Sequence, residues 1–188
     1  MNAKASTART WFRNQASNAS VNPNAMLANE KAHLVVRPQL GSMYFFRYDP
    51  LGKATLPYYD TFPLVFFFKQ GVFTGGAANK ASLIGINLHY LPLRLRAKLM
   101  DILYGVRTGK GTPEQKMRIT YSVLQSLSAI PYFKPCIKKY LMGHVRSKFI
   151  EVPITSWDVA LFLPLQRFVG ASPEQVYRDS VKKIGSKK

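Results

Sequence analysis

Metal-dependent cleavage of a phosphodiester needs two or more clustered carboxylates to hold Mg²⁺. Between Gly41 and Asp101 the acids are Asp49, Asp60 and Asp101. Asp49 precedes Pro50, a turn position where Asp bonds its own backbone. Asp101 falls among helix basics, as an intrahelical partner. Asp60 with His89 is the pair left to consider, and it defines a nuclease reading, although no Asp…Glu-x-Lys spacing accompanies it. His33, His89 and His144 are scattered without metal-ligand spacing. His89 precedes Tyr90-Leu91-Pro92, a strand-to-helix junction that suits a structural histidine bonded to a loop carbonyl. The single cysteine, Cys136, excludes an intramolecular disulfide and a Cys-rich zinc site, and reads as a small buried hydrophobe. Gly75-Gly76 is not followed by a Lys-Ser/Thr helix start, and Thr108-Gly-Lys-Gly lacks Walker spacing. No catalytic residue, metal ligand or cofactor is assigned.

Charge is the stronger signal. Twenty-seven Lys and Arg stand against nine Asp and Glu, for a formal net charge of +18. Such a surplus repels itself in the compact state and points to a polyanionic partner. DNA, RNA, an anionic membrane or an acidic protein surface would serve. The basic residues form three clusters. Arg94, Arg96 and Lys98 make the first. Lys134, Lys138 and Lys139, followed by Arg146 and Lys148, make the second. The C-terminal lysines, Lys182 and Lys183 among them, make the third. Each alone would suit a solvated face; with so few acids to offset them, together they favour polyanion binding. Phosphate contacts of this kind position a protein without reading bases, and about six of them would give a log–log salt slope near −5.

Most aromatic residues are needed for a core. Tyr58 and Tyr59, in a Pro-flanked loop, are the best placed for exposure and contact with a partner. The longest apolar runs, Phe62 to Phe68 and Val159 to Leu165, are far too short to cross a membrane, and no apolar secretory segment opens the chain. A soluble protein or a piece of an assembly is expected.

The elements that must position these groups follow from turns and periodicity. Residues 1–39 read as an extended or disordered basic arm, and residues 40–188 as one domain. Within the arm, Arg9, Trp11, Phe12 and Arg13 could order by docking on a neighbour and an anion. His33 to Val36 suits a short strand leading in. Met43 to Tyr48 and Leu64 to Lys69 read as strands. Asp49-Pro50-Leu51-Gly52-Lys53 is a turn, Phe73 to Lys80 a hairpin tip, and Ser82 to His89 the return strand, with Gly85 at a bulge or close approach. Pro92 opens a helix ended by Gly105, with Leu95, Leu99 and Ile102 on one face and Arg94, Lys98 and Asp101 on another. Thr112-Pro-Glu-Gln115 and Ser172-Pro-Glu-Gln175 are capping boxes. The first helix carries Leu124 and Leu127; the second carries Tyr177, Val181 and Ile184 on one face. A short helix is expected from Pro135 to Leu141, with Lys134 and Lys138 projecting together. Arg146 to Val152 should be a strand at the sheet's edge, and Trp157 to Phe162 a short helix capped by Ser156. The fold class is α+β: a small antiparallel sheet, with an SH3-like partial barrel as one form it could take, surrounded by three to five helices.

The phrases GSMYFFRYDP, LPYYDTFPLVFFF, GINLHYLPLRLRAKLMD, HVRSKFIEVP and SWDVALFLPLQRFVGASPEQVYRDS cover roughly Gly41 to Ser180. In them the chain resembles a family of T-even-type tailed phages, the DNA end protectors of the virion. The resemblance leaves the N-terminal arm outside, and it carries no motif that assigns DNA-contacting residues. It implies a late-acting, non-enzymatic virion component near the portal and neck, shielding the packaged DNA terminus from host exonuclease. The partners implied are a double-stranded DNA terminus and other virion proteins of the portal, neck or tail, within a multi-subunit assembly and without a membrane. The place implied is the virion, and the host cytoplasm during assembly. A purely structural neck, tail or baseplate component, using its arm and basic patches for assembly, is the second reading. The nuclease is the third.

Overall fold

The structure is a computed structural model and describes residues 34–74, 80–108, 112, 122–127, 129–153, 157–162 and 165–185. Eight strands are described: β1 (Leu34–Val35), β2 (Met43–Phe45), β3 (Tyr59–Asp60), β4 (Leu64–Phe73), β5 (Lys80–Asn87), β6 (Ile137–Leu141), β7 (Phe149–Val152) and β8 (Phe168–Val169). Three α-helices accompany them: α1 (Leu93–Thr108), α2 (Trp157–Phe162) and α3 (Pro173–Gly185). Residues 122–127 are also helical. The class is α+β, as expected. Six strands form one antiparallel sheet in the order β1-β7-β2-β4-β5-β6, and β3 pairs with β8 in a second, two-stranded sheet. The described pairings leave β1 and β6 as edges and do not establish an SH3-like closure.

The apolar run from Leu64 to Phe68 is continuous because the sheet is covered on both faces, so alternate residues both find a core. Leu64, Phe66 and Phe68 join Met43, Phe45 and Ile86 in a large cluster with Leu99 and Leu103 of α1, Trp157 and Leu161 of α2 and Val176 of α3. Val65 and Phe67 join Tyr44, Phe46, Tyr48, Leu83, Tyr140 and Phe149 on the opposite face. That second cluster is mostly aromatic, with Phe46 at its centre, 4.8 Å from Phe149 and 5.3 Å from Tyr140 between ring centroids. Edge-to-face and tilted arrangements of this kind suit the ring quadrupoles. Leu40, Met142 and Val145 pack against it.

Gly85 fulfils the expectation of a close approach. A Cβ there would lie 2.4 Å from the Phe66 carbonyl oxygen and 2.4 Å from Val65 Cγ1. The β4–β5 register shifts beside it, between Phe67 and Lys69, which is a bulge.

Several sequence expectations are corrected. Pro135 to Leu141 is not a helix: a 3₁₀ turn covers Pro131–Cys136 and β6 begins at Ile137. Pairing with β5 along Ser82 to Ile86 dictates the strand. β7 is not an edge strand but lies between β1 and β2. Helix α1 runs through Gly105 to Thr108; one helical glycine costs only about 1 kcal/mol against Ala. In α3, Val181 is 53% exposed, and the buried face is Val176 and Ser180. Ser172 does cap α3, accepting a hydrogen bond from the Gln175 N–H at 3.3 Å. The arm residues Arg9, Trp11, Phe12 and Arg13, the Ser156 cap and the hairpin tip at 75–79 lie outside the described residues.

Candidate nucleic-acid interface

The charged residues divide into a buried set and an exposed one. Asp60 and His89 do meet, with 2.7 Å between Oδ2 and Nδ1, and both are buried. The Asp60 carboxylate also accepts from the Phe62 N–H (3.1 Å), the Arg167 N–H (3.3 Å) and the Asn87 amide (3.3 Å). Burial pushes the His89 pKa down, against the opposite pull of Asp60. A neutral imidazole that donates Nδ1–H to the carboxylate satisfies both effects. Its Nε2 has no hydrogen-bond partner and is buried. Among the described residues no group of three or more His, Cys, Asp or Glu is placed to hold a metal. The pair locks β3 to the turn after β5, with its carboxylate oxygens taken by those four donors.

Arg96 belongs to the same interior. It was expected on a DNA-facing surface, yet it is 1% exposed. Its Nε donates to the Leu91 carbonyl (2.8 Å), its Nη1 to the Leu161 carbonyl (2.7 Å) and its Nη2 to the Tyr177 hydroxyl (2.8 Å). One guanidinium therefore ties α1 to α2 and α3. Burial pulls its pKa down, opposed by nearby Tyr177 and Asp60. Helical spacing already separates it from Arg94 and Lys98: those two are four apart on one face, while Arg96 falls with Leu99 and Leu103. Cys136 is buried as expected, its thiol pushed up to about 12 by burial.

The remaining expected contacts are scattered. Arg94 and Lys98 are exposed on α1, Lys134 on the 3₁₀ turn, Lys148 before β7 and Lys182 on α3. The Lys183 side chain lies outside the described residues. Lys134 and Lys138 do not project together from a helix, because Lys138 is on β6, where it is half-buried with its Nζ 4.0 Å from the centre of the Tyr90 ring. Lys139, the next residue along, is exposed, 5.8 Å from the Phe73 ring.

Four of the expected residues do come together. An open cleft of about 420 Å³ is lined by Tyr58, Tyr59, Lys138 and Lys139, over a floor that includes Tyr48, Asn87, Tyr90 and Tyr140. Tyr58 and Tyr59 are half-buried, not fully exposed. Tyr58 packs on Tyr90 at 6.1 Å between centroids. Phe73 adds a half-buried ring, and the turn contributes Leu51 and Leu56, 52% and 44% exposed. The loop carrying the two tyrosines is held from below. Tyr59 pairs with Val169, and Gly170, at φ +89°, brings the chain so close to Pro57 that a Cβ would sit 2.6 Å from its carbonyl oxygen.

A second, polar cavity of about 610 Å³ shares Tyr48 and Tyr59 with the first. Arg47, Lys53 and Arg146 line it, with Asp49 as its carboxylate. Backbone pairing explains the convergence: the Arg146 N–H donates to the Arg47 carbonyl (2.9 Å) and the Asp49 N–H to the His144 carbonyl (3.1 Å). Asp49 accepts from Lys53 Nζ at 2.9 Å and lies 3.6 Å from Arg146 Nη2. Its carboxyl is held below its ordinary value, first by the Lys53 hydrogen bond and then by the two cations. Both partners of each pair are open to solvent, which screens them, so an incoming anion can displace them. Arg47, Lys53 and Phe73 did not stand out in the sequence. Arg47 is the lone cation in an aromatic run, two residues past the end of β2 and exposed between the core residues Phe46 and Tyr48; a cation in that run was the available signal.

Rings with free edges or faces beside cations form the pair of surfaces that a nucleic-acid strand uses: stacking for bases, charge for phosphates. The family described as Phage T4 terminal DNA protecting protein matches residues 2–187. The chain belongs to that family. The match takes in the N-terminal segment, which the resemblance in sequence phrases had left out. The family's description makes this a phage protein that protects DNA termini. Neither the curated proteins nor the solved structures give a significant match.

Proposed function

We propose that this terminal DNA protecting protein is a non-enzymatic virion component. It sits where the packaged DNA ends, at the portal and neck, and shields that end by occupying it through its basic surface. The observation that supports this most is the convergence of Arg47, Lys53 and Arg146 on one polar cavity next to the aromatic cleft. It gives the net charge of +18 a place where phosphates and bases can be met together. Arg94, Lys98, Lys134, Lys148 and Lys182 extend the positive field and steer DNA toward it. Protection is then steric: an exonuclease that must thread a free end finds it covered.

The test is exonuclease digestion of linear duplex at increasing protein concentration. Wild type should lengthen the lifetime of the DNA, and Arg47→Ala/Lys53→Ala/Arg146→Ala should do so only at much higher concentration. Digestion at the same rate with and without wild-type protein, at concentrations where DNA is bound, would refute the shielding role. Metal-dependent loss of DNA on addition of the protein alone would refute the non-enzymatic one.

A further inference from the structure

The aromatic cleft is more than a rough patch on a basic surface. Its volume of about 420 Å³ lies within the range of about 300–1,000 Å³ usual for small-molecule sites. That is the scale of one nucleotide and not of a duplex. Tyr59 and Phe73, both half-buried, present ring surface inside it. Tyr48 and Tyr59 also form a wall of the basic cavity. A base in the cleft would therefore have its own phosphates next to Arg47, Lys53 and Arg146, with Lys139 at the other side.

The floor adds a constraint on specificity. Asn87 donates its amide to Asp60 (3.3 Å) and to the Tyr140 hydroxyl (3.0 Å), and its carbonyl oxygen accepts from the His89 N–H (3.0 Å). Asp60 is occupied by its four donors. The Asn87 amide and the Asp60 carboxylate, committed to these partners, are not free to read the Watson–Crick edge of a base. Stacking remains, and stacking tolerates every base.

We infer that the cleft takes one unpaired terminal nucleotide of the DNA, stacked against Tyr59 and Phe73, with no preference for which base it is. This deepens the proposed end-protecting role and rests on it. A blunt end must first unpair a base, at a cost of a few kcal/mol, whereas a single-stranded overhang offers one at no such cost. Overhanging ends are therefore bound more tightly.

The experiment uses hairpin duplexes with one open end, either blunt or carrying a one-nucleotide 3′ or 5′ overhang, and a dumbbell duplex closed at both ends. Binding of the full chain is read by fluorescence anisotropy, with a fluorescent base analogue as the overhang to report stacking. At least one overhang should bind about tenfold tighter than the blunt end, equally for all four bases. The analogue's emission should change on binding. In Tyr59→Leu and, independently, Phe73→Leu the ratio of overhang to blunt affinity should fall toward one; thermal melting of each variant checks that it is folded. Equal affinity for blunt and overhanging ends, both above the dumbbell, would overturn the nucleotide cleft and leave end binding standing. A strong preference for one base would overturn the stacking account. Equal affinity for open ends and the dumbbell would overturn end recognition itself, and the cleft with it.

Discussion

The interior around Arg96 and the surface around Arg146 hold the same kinds of residue in opposite states. Arg96, His89 and Asp60 lie in the core, with Arg96 Nε, Nη1 and Nη2 each donating to a group of another residue. Arg146, Lys53, Arg47 and Asp49 lie in an open cavity where the exposed ion pairs are at 2.9 and 3.6 Å. In the first region charge is spent on holding helices together. In the second it remains available to a ligand. A count of basic residues cannot separate the two; what separates them is whether the polar atoms already have buried partners.

The sharpest way to break this comparison is to exchange the two arginines for apolar residues. Arg96→Met leaves the Leu91, Leu161 and His89 carbonyls and the Tyr177 hydroxyl without their donor, and should cost about 3–5 kcal/mol. That is a fall in Tm on the order of 10 °C for a chain of this size. Arg146→Ala should move Tm by about 1–2 °C or less. Comparable losses in the two variants, measured by thermal melting, would erase the distinction.

Next in size is Gly85→Ala. The added methyl meets the Phe66 carbonyl and Val65 at 2.4 Å, so the β4–β5 pair must shift, at about 1–3 kcal/mol. A neutral result would mean that the bulge relaxes freely.

The surface half is sharpened by salt. Removing Arg47, Lys53 and Arg146 together should flatten the log–log salt dependence of DNA binding by about two to three units, since each lost phosphate contact takes away about 0.9. An unchanged slope would place the phosphates elsewhere, on the exposed Arg94, Lys98, Lys134, Lys148 or Lys182.

The smallest expected effect is on pH. His89 has a folded pKa below its ordinary value of 6.5 because it is buried. Above that value the imidazole is neutral folded or unfolded. Below it the unfolded chain takes up a proton that the fold resists, so stability falls as pH drops from about 6.5 toward the folded value. Urea titrations across that window should show the loss, and His89→Gln should reduce it. A gain in stability on acidification would mean that the buried imidazole is charged.

Much of the frame was legible in the sequence. The aromatic run from Leu64 to Phe68, the turn at Asp49 to Lys53 and the Ser172 cap each carry a local physical cause, and each appears. The failures share a different cause. Ile137–Leu141 is a strand because β5 offers it an edge, a long-range fact that outweighs its local pattern of lysines. Arg96 was grouped with its neighbours in sequence, although helical spacing places it with Leu99 and Leu103. The cavity beside Tyr59 brings together residues about 100 positions apart, Arg47 and Arg146, which only the pairing of two strand extensions makes neighbours. No single segment carries that signal.

The proposed role of the basic cavity and the cleft is to act on DNA ends. It is tested most directly by competition between a linear duplex and the same duplex in covalently closed circular form, for wild type and for Arg47→Ala/Lys53→Ala/Arg146→Ala. Wild type should prefer the linear form, and the triple variant should lose most of that preference. Equal binding of wild type to both forms, collapsing together as salt is raised, would contradict it.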